Sequence, residues 1–446
     1  MESLRPHYKA TLRLGLPIAI GQIGVIVMGF ADTMMVGHYS TDALAAAAFV
    51  NNVFNIVTFL LMGYSYGFTP IVSGFCGRGD KAGAGGALKQ AVVANAAFAA
   101  LVIAAMGALY FCLDSLGQPV EIMPLVKPYY TVILVSMLFV AGFNVLRQFT
   151  DGTTDTAAGM WTLLTGNALN IVGNYFLIYG IGPFPELGLL GAGLSTLFSR
   201  VFMAVALGCI ICLRRRYAPF RTGWHGIGLK WAEVRRVNAN SLPVALQMGM
   251  ESGSFAFSAV MAGWISAVSL ASFQVMVTIG TLGFLFYYSF GAGMSIRVAA
   301  FVGTADWPRV RLATKAGCHI LCAMATVSSL IFIIFSESLI RAFTADPLVI
   351  AASLALVVPL VLYQFADAMQ ICFANALRGT SSVMSMMWIA FISYVVVNLP
   401  LGYVLGFTFG LGTVGLFLAF SAGLITAAAL FYWHYRRVAY SRLNDN

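Results

Sequence analysis

The stretch RLGLPIAIGQIGVIVMGFADTMMVG, residues 13–37, separates Arg13 from Asp32 by eighteen residues, none of them charged. An α-helix rises about 1.5 Å per residue, so about 20 apolar residues cross a hydrocarbon core of about 30 Å. The stretch has that length. It has no strict apolar/polar alternation, which a transmembrane strand would need. It therefore reads as a membrane-spanning helix with a carboxylate near its far end. A charge at mid-bilayer costs about 2.5–3.5 kcal/mol on insertion scales, so such a residue usually faces a cavity and works there.

The rest of the chain repeats this pattern. Of its 446 residues, 60% are hydrophobic and 9% charged, against roughly 45–50% and about 25% in soluble domains. The mean hydropathy is +0.87. That much apolar surface needs a lipid bilayer as its solvent. Twelve apolar runs follow one another, among them 12–37, 159–182, 189–213, 238–264 and 348–375 as spans 1, 5, 6, 7 and 10. The first is too long for a signal-peptide core and reads as a retained span. The expected fold class is all-α integral membrane, with twelve transmembrane helices.

The net charge of +9 would suggest nucleic acid in a soluble protein, but the placement of the charges argues otherwise. With the N-terminus in the cytoplasm, 22 of the 25 lysines and arginines fall in inner segments, Arg147, Arg297, Arg378 and Arg442 among them. This is a positive-inside pattern. It predicts cytoplasmic N- and C-termini and no nucleic-acid partner. Lys127 and Arg341 fall outside, and Arg200 lies within span 6 as the one intramembrane cation. The seven cysteines and five histidines show no metal-ligand spacing, and Cys209 and Cys212 read as packing residues.

The two halves repeat. SYGFTPIVSGFCGRGD at 65–80 is answered by GAGMSIRVAAFVGTAD at 291–306. Gly67, Phe75, Gly77 and Asp80 recur 226 residues later as Gly293, Phe301, Gly303 and Asp306, and Leu16-Pro17 recurs as Leu242-Pro243. A six-helix unit is duplicated, and because six is even both copies insert the same way up. Two pseudo-symmetric six-helix bundles follow, as in parallel-repeat transporters. The expected lobes are 1–213 and 238–446, joined by a basic cytoplasmic linker at 214–237; a short basic tail ends the second.

Three acidic residues fall inside spans: Asp32 in span 1, Glu251 in span 7 and Asp367 in span 10. Arg200 could pair with one or two of them at most. Asp32, Asn174 and Thr196 should lie at similar heights in the outer part of the first half, and Asn170 shares a helix face with Asn174. This set of oxygens suits a hard cation, or else ordinary interhelical hydrogen bonding. Tyr363 is one turn before Asp367. Asp32 corresponds by repeat to Ser258, and Glu251 to Val25, so the halves share a scaffold but carry different chemistry. Pro17, Pro243, Pro359 and Pro400 interrupt their spans and permit bends.

Several segments together resemble the multidrug and toxic compound extrusion (MATE) family: LPIAIGQI, GFADTMMVGH, GFCGRGD, NALNIVGNYFLIYG, LPVALQMGMESGSF, RVAAFVG, YQFADAMQ and ALRGT. The resemblance covers essentially the whole chain. Glu251 together with Asp367 looks like the NorM-type bacterial branch. Two departures appear, at Gly74 and at Arg297-Val298-Ala299-Ala300, both where span ends pack. The resemblance implies a cation-coupled multidrug antiporter of the bacterial inner membrane, working by alternating access of its two lobes. It implies organic cations or amphipathic drugs as substrates, and no cofactor. Asp32, Glu251 and Asp367 match the family's essential membrane acids. Asn170, Asn174 and Thr196 match polar positions of a first-lobe cation site, and Tyr363 an aromatic near the second-lobe cation. Asp32, Asn170, Asn174, Glu251 and Asp367 would be the ligands if the coupling ion is Na+ rather than H+. One chain suffices to enclose a cavity, so a monomer is expected. A flippase for lipid-linked sugars or another narrow-substrate exporter of the same superfamily is the alternative. An enzyme is not expected, since no convergent nucleophile, base or metal motif is present.

Overall fold

The computed structural model describes residues 3–115 and 119–441. Arg442 of the basic tail lies outside them. The described residues contain no strand and form twelve long helices. These are α1 (Arg5–Tyr39), α2 (Thr41–Gly77), α3 (Lys81–Tyr110), α4 (Val120–Gly152), α5 (Thr156–Tyr179) and α6 (Gly188–Leu213), then α7 (Trp231–Ile265), α8 (Ala267–Gly303), α9 (Trp307–Ile334), α10 (Val357–Gly379), α11 (Met384–Thr408) and α12 (Gly412–Ser441). Ten are long and apolar enough to cross a membrane. The remaining two, α5 and α7, have 24 and 35 residues, and at about 1.5 Å per residue both could span. They are less apolar because they carry polar side chains inward, Asn167, Asn170 and Asn174 on α5 and Gln247 and Ser254 on α7, all of them buried.

The chain divides into two compact units, 20–245 and a second made of 1–19 with 246–446. The divisions fall two residues beyond Pro17 in α1 and two beyond Pro243 in α7, at positions related by the 226-residue repeat. Thus α1 begins in the second unit and continues in the first, while α7 does the reverse. In the first unit, a Cβ on Gly67 would stand 2.5 Å from Ser241 Cα and 2.6 Å from the Asn240 carbonyl oxygen. In the second, a Cβ on Gly293 would stand 2.9 Å from the Gly15 nitrogen. Gly67 and Gly293 are repeat partners, and so are Gly15 and Ser241. The repeated glycines are where two backbones approach too closely for a side chain.

The repeated Asp80 and Asp306 cap helices. Asp80 accepts from the Gly83 N–H (2.7 Å) at the start of α3, and Asp306 from the Arg309 N–H (3.1 Å) at the start of α9. Each stabilises otherwise unpaired amides of a helix N-terminus. The turn before each cap uses a left-handed residue, Gly79 (φ +76°) and its partner Ala305 (φ +57°). The copies differ at α2, which breaks at 67–68 before Pro70, whereas α8 runs on through the equivalent Ile296. Pro359 lacks the N–H that would bond to Ala355, and the helix Pro347–Leu354 ends there before α10 begins. In α11 two π-helical stretches, Phe391–Asn398 and Val404–Thr408, flank the turn that holds Pro400.

The linker is part of the first unit. Its helix, Ala218–Gly226, lies against α3 with Gly85 facing Phe220 and Gly223 facing Ala82, each pair in backbone contact. The buried Tyr217 hydroxyl donates to Asp155 (2.9 Å), and Arg216 reaches the same carboxylate (3.6 Å).

Arg147, Arg297 and Arg378 do not lie in loops. They sit within α4, α8 and α10, and the helices run past the apolar windows that set the expected span ends. Arg147 and Arg378 are buried. Arg147 is 3.9 Å from Asp151, Arg297 donates to the His7 carbonyl (2.8 Å), and Arg378 donates to Asn375 (3.2 Å). Arg200 is therefore not the single arginine inside a long helix.

Candidate functional site

Each unit contains a group of polar side chains around a helix-borne carboxylate. In the first unit the carboxylate is Asp32 on α1, half-buried. From α5, Asn174 donates its amide to Asp32 Oδ1 (2.5 Å). Asn170, with its amide turned to satisfy both neighbours, donates to the same oxygen (2.7 Å) and accepts from the Thr196 hydroxyl on α6 (3.2 Å). Asn170 and Asn174 are fully buried. They point the same way because residues four apart share a helix face. Ser195 holds the α5 backbone by donating to the Asn170 carbonyl (2.8 Å), which is possible because Gly173 leaves room for its hydroxyl.

This arrangement suits an ionised carboxylate with no metal present: two amide N–H groups solvate one oxygen. The Asn174 Oδ1 has no hydrogen-bond partner. A carboxamide carries oxygen and nitrogen in nearly the same shape. Rotating both amides would turn two oxygens toward Asp32, with the Asn170 N–H then donating to the Thr196 hydroxyl (3.2 Å), and oxygens of this kind suit a hard cation. The residues therefore fit both states.

In the second unit, Asp367 on α10 is 1% exposed and its Oδ2 has no hydrogen-bond partner. A buried carboxylate oxygen without a donor is costly to the fold. One turn before it, the Tyr363 ring meets Phe255 and Phe420 edge-on, at centroid distances of 6.2 and 6.1 Å. Glu251 on α7 is half-buried. The Tyr394 hydroxyl lies beside the Glu251 carboxylate but outside hydrogen-bond geometry. Tyr394 belongs to the π-helical stretch of α11, which Ser254 and Asn398 tie to α7: Asn398 donates to Ser254 (2.6 Å), and Ser254 to the Tyr394 carbonyl (3.3 Å). Gln364, one turn from Asp367, accepts from Tyr287 (2.7 Å) and donates to the Gly280 carbonyl (3.3 Å).

Asp32, Asn170, Asn174 and Thr196 thus form one hydrogen-bonded group, whereas Glu251, Tyr363 and Asp367 belong to the other unit. Sequence reading did not single out Tyr394, Tyr287, Gln364 or Asn398. Gln364 and Asn398 carried a signal, being amides inside apolar runs. Tyr287 and Tyr394 carried none, since a tyrosine in an apolar run reads equally as lipid-facing. Among the described residues, no group of three or more His, Cys, Asp or Glu side chains could hold a metal ion.

Comparison with known proteins gives the chain its context. The family model MatE matches it twice, over residues 17–176 and 243–404, once in each half. The multidrug resistance protein PmpM of Pseudomonas aeruginosa is 30% identical, covering 91% of this chain and 85% of its own. The multidrug resistance protein NorM of Vibrio cholerae is 27% identical over 95% of this chain and 94% of its own. A MATE crystal structure in a straight conformation superposes with a TM-score of 0.90 at 19% identity, covering 99% of this chain and 97% of that one. A MOP superfamily transporter from Pyrococcus furiosus, described as having a binding pocket of reverse polarity, gives 0.88 at 18% identity, with 97% and 96% covered. A twelve-helix fold, a family model repeated at the spacing of the internal duplication and full-length relatives agree: the chain is a NorM-like member of the MATE family of membrane transporters, and not an enzyme.

Proposed function

We propose that this protein is a cation-coupled multidrug antiporter of the bacterial inner membrane, with both termini in the cytoplasm, acting as a monomer. Organic cations or amphipathic drugs enter from the cytoplasmic side and are attracted by ionised carboxylates in the two halves. Na+ or H+ arriving from outside neutralises those carboxylates, releases the drug and permits the return by alternating access. The observation that carries this reading is the set of three carboxylates within long helices, Asp32, Glu251 and Asp367, with the Asp367 Oδ2 buried and unpartnered. A buried charge of that kind is maintained where a cation or proton comes and goes. Asp32, Asn170, Asn174 and Thr196 would hold the cation in the first half, and Glu251, Asp367 and Tyr363 would form the second site. The geometry of the first group favours Na+, because amide and hydroxyl oxygens ligate metal ions and contribute little to proton uptake. The names of the full-length relatives, all multidrug resistance proteins, support drugs as the cargo.

Ethidium efflux from drug-sensitive cells, energised in turn by a sodium and a proton gradient, tests the proposal. Acceleration by sodium at fixed pH is expected. Acceleration by the proton gradient alone would retain the antiporter and move coupling to protonation. No efflux with either in well-expressed protein would overturn multidrug export and favour a narrow-substrate exporter or a lipid-linked sugar flippase. Wild-type efflux by Asp32→Asn or Glu251→Gln would refute the carboxylate roles.

A further inference from the structure

Four sulfur-bearing side chains on α9 and α10 have no part in the mechanism so far. Cys318 and Cys322 lie four residues apart on α9 and so share one face. Met369 is on α10, two residues beyond Asp367, and Cys372 follows one turn later. The Cys318 thiol points at the Met369 Sδ from 3.9 Å, and the Cys322 thiol points at the same atom from 4.0 Å. Cys318, Cys322 and Met369 are half-buried, whereas Cys372 is fully buried. A thiol is a weak donor and a thioether a weak acceptor, so two S–H groups on one thioether gain little as hydrogen bonds. Their convergence means more as a donor set. In a trigonal complex with metal–sulfur bonds of about 2.3 Å, the sulfurs stand about 4.0 Å apart. Both separations from Met369 already have that length. The spacing of cysteines and histidines along the chain could not show this, because the third sulfur comes from another helix and belongs to a methionine.

We propose that Cys318, Cys322 and Met369 form a binding site for a soft monovalent metal ion, Cu(I), in three-coordinate sulfur geometry. Thiolate and thioether donors select such an ion, whereas hard cations take oxygen. Zinc is disfavoured, since it takes four ligands in a closed site. Binding releases both thiol protons to solvent: one Cu(I) and two S–H groups give two copper–thiolate bonds, one copper–thioether bond and two protons. The copper stays Cu(I) throughout. The complex carries one net negative charge, and Lys315, one turn before Cys318 on α9, places a positive charge on that side. The bound ion joins α9 to α10, the helix that carries Asp367. All three ligands belong to one unit. The site is separate from the oxygen groups around Asp32 and independent of which ion drives transport.

The test reads metal binding directly, on purified full-length protein in detergent under argon. Cys76, Cys112, Cys209 and Cys212, which are partly or fully exposed, are changed to serine in the parent protein so that their thiols do not compete. Cu(I) is delivered as its coloured bathocuproine disulfonate complex, whose absorbance falls as the protein takes the metal. One Cu(I) per chain is expected, with X-ray absorption showing three sulfurs at about 2.3 Å. Cys318→Ser or Cys322→Ser should weaken binding by about a hundredfold or more, and Met369→Leu by about tenfold, with two sulfurs left on the copper. Met369→Leu conserves volume, so its metal-free melting temperature should match the parent's. NaCl should leave the titration unchanged. No transfer of Cu(I) to the parent protein would overturn the proposal, as would equal uptake after Cys318→Ser and Cys322→Ser together. If the cysteine variants do not fold, Met369→Leu decides alone: unchanged affinity and an unchanged sulfur count would refute the site. Failure of the transport reading shows instead as absent efflux, which this titration does not measure.

Discussion

Substituting Gly67 by alanine should separate two helices that the fold requires in contact. The added Cβ would lie 2.5 Å from Ser241 Cα, 2.6 Å from the Asn240 oxygen and 2.9 Å from the Asn240 carbonyl carbon. Carbon–carbon contacts are favourable near about 3.5–4.0 Å, so α2 and the first part of α7 must part by about 1 Å. All three obstructing atoms are backbone, so no rotamer change relieves the clash. Overpacking of this kind costs about 1–3 kcal/mol and occasionally more, and the upper half of that range applies when backbone must move. At the repeat-related Gly293 the nearest atom is 2.9 Å away and the next 3.1 Å, so alanine there should cost about 1 kcal/mol. Gly29, whose Cβ would meet nothing within 4 Å, is the control. Thermal unfolding of purified protein in detergent should rank the variants, with Gly67→Ala melting first, Gly293→Ala next and Gly29→Ala with wild type. Should Gly67→Ala melt together with Gly29→Ala, the repeated glycine would not be a steric requirement.

Asn174→Leu removes the amide oxygen that would turn to a bound cation; it should weaken Na+ binding by about tenfold or more while Thr196 and Asn170 keep the helices paired, measured by the midpoint of Na+-dependent stabilisation. Ala305→Gly should raise the melting temperature slightly, since a non-glycine residue at φ +57° carries about 1 kcal/mol of strain. Burial is the largest influence on Tyr217 in the linker and raises its phenol above the ordinary value of 10.0. A group whose protonated form is favoured by folding contributes stability below its unfolded value and loses it as pH rises through the folded one. Linker docking should therefore weaken on raising the pH beyond about 10, and protease cutting within 214–230 should track this loss in wild type but not in Tyr217→Phe.

The spans were legible because a bilayer imposes one simple demand, length of apolar helix, on every stretch that crosses it. The duplication was legible because its constraints are local and steric. The glycine and aspartate that recur at 226 residues are a close backbone approach and a helix cap, and neither tolerates another residue easily. Asp32, Asn170, Asn174 and Thr196 could be associated from their depth alone, since helices that cross the same layer bring equal depths together. Which unit residues 1–19 pack with was not legible, because hydropathy describes a segment's solvent and not its neighbour. The burial of Arg147 was hidden for a related reason. An arginine next to an apolar run is expected at a helix end, but its aliphatic stem can pack against glycines such as Gly159, with Asp151 one turn on. The place of Tyr394 was hidden because it lies in a π-helical stretch of α11, a register no sequence pattern foretold.

The passage of α1 and α7 from one unit to the other has a consequence for biosynthesis. Residues 1–19 are made first, but the surface they pack on includes Phe290 and Gly293 of α8, which emerge only after more than half of the chain has been translated. At about 5–20 residues per second, the opening segment waits on the order of tens of seconds in the membrane before its partners exist. The first unit likewise stays open until residues 231–245 arrive to close against Gly67. Neither half is a finished product when its own last helix leaves the ribosome. A gene severed at the linker should therefore yield two fragments that mature only when made together, each supplying the other's missing piece.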